Sequence, residues 1–444
     1  MPEALIKGRV NISATDAATG VTVQIFSRQV QEGVPRWMPG VSVRANSNGE
    51  FRFAELLPGA YKLATHELLD NDPVVTVPGG QPYGFPPIYY PGTTDFAAAG
   101  TIQLTAGQTF QAELSLVRQP YFPVRIPVAN AEPNAGVNVT VSVQGHRGPG
   151  YSLGYNPQKQ WIEGQLPNGS YLVGAASFGA NSASGAVNIA VAGAPAEGPV
   201  MVLTRNSSIS VRIREEFTAT DWNGAGSWSD AKHTFSFHGP RAYLQIRVEP
   251  AEDFGPQRSE SLRPPTREND DSLFVDNLAP GRYWVRLSSS RGYVAAATMG
   301  GIDLLHEPFV VGPGTSTPLE ITMRDDNAEI DGTVAGLAAG ATTSAGAAAS
   351  AYPGAVTRPA YVYCVPLADS PGQFLQLSVA PDGKFNYLMM APGVYRVMAF
   401  RNPQINLPYR DADAMRAYDS KGQVVHLSAG QKANVQLQII SSSE

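Results

Sequence analysis

Apolar and polar residues alternate in short runs along most of the chain, and the runs end at glycine, proline or asparagine. Phe110, Ala112, Leu114 and Leu116 fall on one side of such a run, and Gln111, Glu113 and Ser115 on the other. A two-residue period is that of a half-buried strand. Comparable runs predict strands at 4–10, 22–26, 122–126, 209–213, 328–334 and 360–365.

One longer pattern occurs four times, centred on Tyr61, Tyr171, Tyr283 and Tyr395, at spacings of 110, 112 and 112 residues. Ten residues before each tyrosine stands a large apolar residue: Phe51, Trp161, Leu273 or Phe385. Five before it is Leu56, Leu166, Leu278 or Met390, and two after it Leu63, Val173, Val285 or Val397. Two residues before each tyrosine is a glycine: Gly59, Gly169, Gly281 or Gly393. Proline precedes three of these glycines (Pro58, Pro280, Pro392), and Asn168 the other. The pattern predicts strand, turn and strand, with a type II turn whose glycine takes a positive φ. The tyrosine opens the second strand and points inward, its hydroxyl bonding backbone near the turn, much as in a tyrosine corner.

Asp/Asn-Gly-x-Phe-x-Phe followed by Leu-x-Pro-Gly-x-Tyr resembles the carboxypeptidase regulatory-like domain, a transthyretin-like β-sandwich. The first copy carries it from Gly8-Arg9-Val10 through Asn48-Gly49-Glu50-Phe51-Arg52-Phe53, and the fourth through Asp382-Gly383-Lys384-Phe385. The second and third depart, with Lys159 and Asp271 at the glycine position and Glu163 in the apolar alternation. The resemblance implies an exported bacterial protein, and a domain type that accompanies enzymes and receptors without bringing an active site. Its fold is also similar to that of starch-binding-like domains.

At 444 residues the chain is too long for one sandwich and suits four of roughly 100. The units are read as 1–118, with an aromatic loop insertion; 119–206, the shortest; 207–326, with a polar insertion at 250–271; and 327–444, with an Ala/Gly-rich loop at 336–352. Forty-four glycines and 36 prolines fit an all-β, turn-rich chain. The fold class is therefore all-β: four tandem immunoglobulin/transthyretin-like β-sandwich domains. Connections of only two to four residues suggest an end-to-end, semi-rigid, elongated array.

A formal charge of −6 supplies no basic field, which excludes nucleic acid as a partner. No apolar run approaches the ~18–20 residues that span a membrane as a helix, and residues 1–20 lack the basic-then-apolar order of a signal peptide. The family resemblance still implies an extracellular, cell-surface or periplasmic location, with a signal segment already removed. The six histidines are dispersed, and in His233-Thr234-Phe235-Ser236-Phe237-His238 two of them face opposite sides of a strand. Cys364 alternates within a strand and reads as a buried small hydrophobe. Asp325, Asp326, Asp411, Asp413 and Asp419 lack the spacing of a calcium loop and read as solvated charge. No catalytic residue, metal or cofactor is expected.

Two constellations suit ligand binding. Tyr83, Phe85, Tyr89 and Tyr90 lie in a loop where rings could stack on sugars or anchor a protein, or could fold back over their own domain. Trp222 and Trp228 lie among glycine and polar residues. The sequence thus reads as a non-enzymatic surface protein acting in adhesion, scaffolding or assembly. Its expected partner is a cell-surface protein or polysaccharide, self-association included. The alternatives are a carbohydrate-binding protein using exposed aromatic loops, and a regulatory fragment of a larger exported enzyme or receptor.

Overall fold

A computed structural model describes residues 3–12, 20–69, 81–132, 136–144, 148–179, 181–219, 222–254, 258–337, 360–367 and 370–440. The loop read at 336–352 lies outside these residues except for its first two positions, as does 70–80 of the first insertion.

The same sandwich recurs four times. In each unit the first strand (Ala4–Asn11, Gln119–Ala129, Ser207–Glu216, Ala328–Ala335) pairs antiparallel with the strand preceding the tyrosine turn. On its other side it pairs parallel with strands from the end of the unit, such as Thr109–Ser115 and Lys432–Ile440. The opposing sheet is centred on the tyrosine strand: Gly59–Thr65, Gly169–Ser177, Gly281–Ser289 or Gly393–Phe400. Alternation decides which side chains meet. Ala4, Ile6 and Val10 face Val23, Ile25, Tyr61 and Leu63 in the first unit, and three further cores repeat the arrangement.

All four tyrosine hydroxyls donate to the carbonyl four residues earlier: Tyr61 to Leu57 at 2.7 Å, Tyr171 to Pro167 at 2.9 Å, Tyr283 to Ala279 at 2.8 Å and Tyr395 to Ala391 at 2.7 Å. The turn differs from the expected type II form. Gly59 and Gly393 stand at φ 157°, close to extended, and Gly169 and Gly281 are not in the left-handed region at all. The positive φ instead falls six residues before the tyrosine, at Glu55 (60°) and Asn277 (64°), where the first and third units also shift strand register. A bulge supplies the bend that was expected of the glycine.

A different glycine is required by space. Gly8 is paired with Phe51 and Gly332 with Phe385. A Cβ on Gly8 would lie 2.0 Å from the Ala112 carbonyl oxygen and 2.6 Å from the Phe51 ring. On Gly332 it would lie 2.2 Å from the Val435 oxygen and 2.8 Å from the Phe385 ring. The bare backbone lets the ring cross the strand and still pack.

The first and fourth units carry a second apolar layer on the outer face of the tyrosine sheet. Phe26, Trp37, Ala64, Tyr89 and Phe96 form it in the first, and Tyr363, Val365, Met398, Phe400 and Leu407 in the fourth. These side chains alternate with core residues along the same strands, so the central strands are buried on both faces.

The expected end-to-end array is not what the contacts describe. Glu32 and Gly33 form the tip of the hairpin between Thr22–Gln31 and Val34–Arg44, and this tip reaches both the third and the fourth units. Short linkers restrict the angle between neighbours, but they do not prevent a chain of four from closing on itself.

Candidate functional site

A concentration of polar and aromatic groups outside the four cores lies where the first unit meets the third and fourth. A two-residue hairpin loop needs left-handed backbone at both positions, and Glu32 (φ 48°) and Gly33 (φ 80°) supply it. The loop holds Glu32 forward, where Arg286 Nη1 donates to its Oε2 at 2.5 Å and the Tyr409 hydroxyl donates to the same oxygen at 3.3 Å. The Arg410 amide donates to the Gly33 carbonyl at 3.1 Å. The Arg410 guanidinium reaches the Val285 carbonyl at 3.3 Å and lies 4.6 Å from the Trp284 ring centre. Beside the tip, Arg36 donates to the Pro250 carbonyl, and Phe254 packs edge-on to Phe96 at 4.9 Å.

This junction is costly in charge. Arg36 and Glu249 are both buried. Burial pushes the Glu249 carboxyl up and the Arg36 and Arg410 guanidiniums down, in each case against neighbouring opposite charges. Such a network holds only while both sides stay in place.

Two more buried cations occupy one equivalent position, immediately after the tyrosine. Lys62 Nζ donates to the Phe96 carbonyl at 2.7 Å and lies 4.7 Å from the Phe96 ring centre and 5.0 Å from that of Trp37. Burial lowers its pKa. Arg396 donates to the carbonyls of Tyr418 and Asp419 and pairs with the Asp419 carboxylate at 3.0 Å. Each cation holds the loop that covers its sheet by satisfying that loop's carbonyls.

The aromatic loop is a cover and a seam rather than an exposed platform, which corrects the sugar-stacking expectation for it. Phe85 and Tyr89 are buried. The Tyr89 hydroxyl donates to the Pro149 carbonyl of the second unit at 2.6 Å, and Tyr90 packs edge-on to Phe110. Tyr83 lies beneath the Arg118 guanidinium at 4.4 Å. Its strand, Tyr83–Phe85, pairs with Gln119–Ala129 and so extends the second unit's sheet.

The tryptophans part company. Trp222 is half-buried, edge-on to Tyr243 at 5.3 Å, with the Arg291 guanidinium 5.0 Å from its ring centre. Trp228 lies across from Phe235 on a separate two-stranded hairpin, Gly226–Ser229 with Thr234–Phe237. Trp228, Phe235 and His233 are within 7° of parallel, at centroid spacings of 6.3 and 5.7 Å, and the first two are half-buried while His233 is exposed.

Reactive groups elsewhere have structural neighbours. Cys364 is buried and its thiol is pushed up to about 12. Asp325 accepts from the amides of Thr218 and Ala219, and Asp411 caps the short helix Ala412–Met415. Among the described residues no three His, Cys, Asp or Glu side chains gather as a metal set.

Sequence reasoning missed Glu32, Gly33, Arg36, Lys62, Arg286, Arg396, Tyr409 and Arg410. One signal was present, since Gln31-Glu32-Gly33-Val34 has the glycine of a tight hairpin between apolar runs. Nothing in it said what the tip would touch.

No family model matches the chain, and no curated protein matches it either. Solved structures similar in part include a streptococcal ancillary pilin, 10% identical over 72% of this chain and 99% of its own, with a TM-score of 0.23. The Bacillus anthracis TIE protein is 10% identical over 97% of this chain and 73% of its own, at 0.17. A minor pilin of Streptococcus agalactiae is 10% identical over 47% of this chain and 98% of its own, at 0.19. Likeness at this level carries nothing over to the chain's function.

Proposed function

We propose that the chain is a non-enzymatic, exported body that serves adhesion, scaffolding or assembly at the cell surface or in the periplasm, built of units divided near 118, 206 and 326. The observation that carries the reading is the Glu32–Gly33 tip, held at once by Arg286 of the third unit and by Tyr409 and Arg410 of the fourth. Three sandwiches gripped in this way, with the second tied to the first through Tyr89 and Pro149, present fixed faces to a partner. The repeated Gly8–Phe51 and Gly332–Phe385 crossings support the carboxypeptidase regulatory-like resemblance for the first and fourth units.

Protease shaving of intact source cells, with attachment assays on strains with and without the gene, tests this reading. It expects fragments of the chain released from whole cells and reduced attachment or altered surface assembly in the deletion strain. A chain confined to the cytoplasm, with no surface phenotype, would overturn it.

A carbohydrate-binding reading keeps one specific support, the row of Trp228, Phe235 and His233 on its polar hairpin. Trp228→Ala then loses retention on a polysaccharide column while the melting temperature stays within about 2 °C, as a surface change away from the cores should.

A further inference from the structure

Between the third and fourth units lies a cleft of about 590 Å3, within the ~300–1,000 Å3 typical of small-molecule sites. Inter-unit hydrogen bonds brace it. His306 Nε2 meets the Ser370 carbonyl oxygen at 3.0 Å, and Arg410 Nη2 donates to the Val285 carbonyl at 3.3 Å. His306 Nδ1 meets the Asp303 carboxylate at 2.6 Å, so both ring nitrogens face oxygen acceptors.

Two kinds of surface line the cleft. One wall is aromatic: the rings of Phe374 and Tyr409 lie 3.8 Å apart and 3° from parallel, with Met415 beside them. Cationic groups line it too, Arg286, Arg396 and Arg410, with the Arg410 guanidinium 5.7 Å from the Tyr409 ring centre. Asp419 is the one carboxylate among the described lining residues, and Arg396 pairs with it, while Glu32 stands against Arg286 and Tyr409 and Glu249 faces Arg286 and Arg410. These carboxylates offset the arginines, and what the cleft offers an anion is unused donors, among them the buried Arg410 Nη1, which has no partner among the described residues. Arg286 is half-exposed, and its bond to Glu32 uses one of its five N–H donors.

We propose that this cleft binds a small carboxylate that carries a ring, with the carboxylate at Arg286 and Arg410 and the ring against Phe374 and Tyr409. A guanidinium fork matches a carboxylate in geometry as well as charge. The flat face of an aromatic acid and the apolar face of a uronic acid both suit an aromatic wall. The proposal goes beyond the surface role and does not rest on it.

Calorimetric titration of the full chain with 4-fluorobenzoate and with D-galacturonate tests the site, with 4-fluorobenzyl alcohol and D-galactose as uncharged counterparts. At least one carboxylate should bind saturably, and its counterpart about tenfold or more weaker, the loss expected for a charge-assisted bond. Which of the two acids binds distinguishes an aromatic acid from a sugar acid. Ser288→Trp fills the cleft from an exposed strand position, and Arg286→Gln removes the fork. Both variants should weaken binding about tenfold or more. Saturation by neither acid, equal binding of the neutral molecules, or unchanged binding by Ser288→Trp would each overturn the proposal. Any of these outcomes leaves the surface reading standing.

Discussion

Arg286 donates to Glu32 across 254 positions of chain, at 2.5 Å, and so ties the third unit to a hairpin tip of the first. An exposed pair of this kind contributes only about 0.2–1 kcal/mol by itself. The significance of the pair lies in what surrounds it: the Tyr409 hydroxyl on the same carboxylate, the Arg410 amide on Gly33, and Arg36 on Pro250. Together these contacts make the array closed rather than linear.

Gly33→Val should test the tip directly. A Cβ there would lie 2.8 Å from the Tyr409 ring, and φ is 80°. Gly430 is a matched control, with φ 69° and nothing within 4 Å of an added Cβ. Both valine variants pay backbone strain of about 1–3 kcal/mol. Only Gly33→Val adds the clash with the fourth unit, so urea melts should show it the less stable by roughly a further 1–3 kcal/mol. Equal losses would mean that the tip does not seat on Tyr409.

Gly332→Ala should destabilise the fourth unit by about 2–4 kcal/mol, because the new methyl would meet backbone rather than a movable side chain. Gly8→Ala should do the same in the first unit. Denaturant titration followed by tryptophan and tyrosine emission measures both. A loss below about 0.5 kcal/mol, the range of an ordinary surface change, would show that the strands separate easily at this crossing.

The strand pattern and the tyrosine bond were legible because both are local. An inward tyrosine four residues beyond a turn carbonyl needs no information from another unit. The left-handed φ was expected at the turn glycines such as Gly281, while the bulge residues Glu55 and Asn277 carry it; asparagine tolerates that region and is a signal, whereas glutamate gives none. The aromatic loop was ambiguous for a further reason. Composition cannot say whether rings such as Tyr89 meet solvent or a neighbouring domain, and here Tyr89 meets Pro149. Lys62 and Arg396 follow an inward tyrosine and so point away from the core, and only the covering loops make them interior.

Acid should weaken the third unit through Asp270. The Ser272 side chain and the Thr266 amide donate to its carboxylate and hold its pKa well below the usual carboxylate range. A folded pKa below the unfolded value gives stability that is present above about pH 3.9 and is lost as pH falls through the folded pKa. Asp270→Asn should therefore cost about 1–3 kcal/mol at pH 7 and flatten the acid limb of the stability profile. A parent-like slope below pH 4 in the variant would contradict this.

Closure of the four units is tested most directly by small-angle scattering of the monomer. A compact chain of 444 residues has a radius of gyration of about 22 Å by the usual scaling, and a rod of four sandwiches about 40 Å. The contacts of Glu32 and Gly33 with Arg286, Tyr409 and Arg410 predict a value of about 22–26 Å, rising in Gly33→Val. A value above about 30 Å for the unaltered chain would mean that the first unit stands clear of the third and fourth.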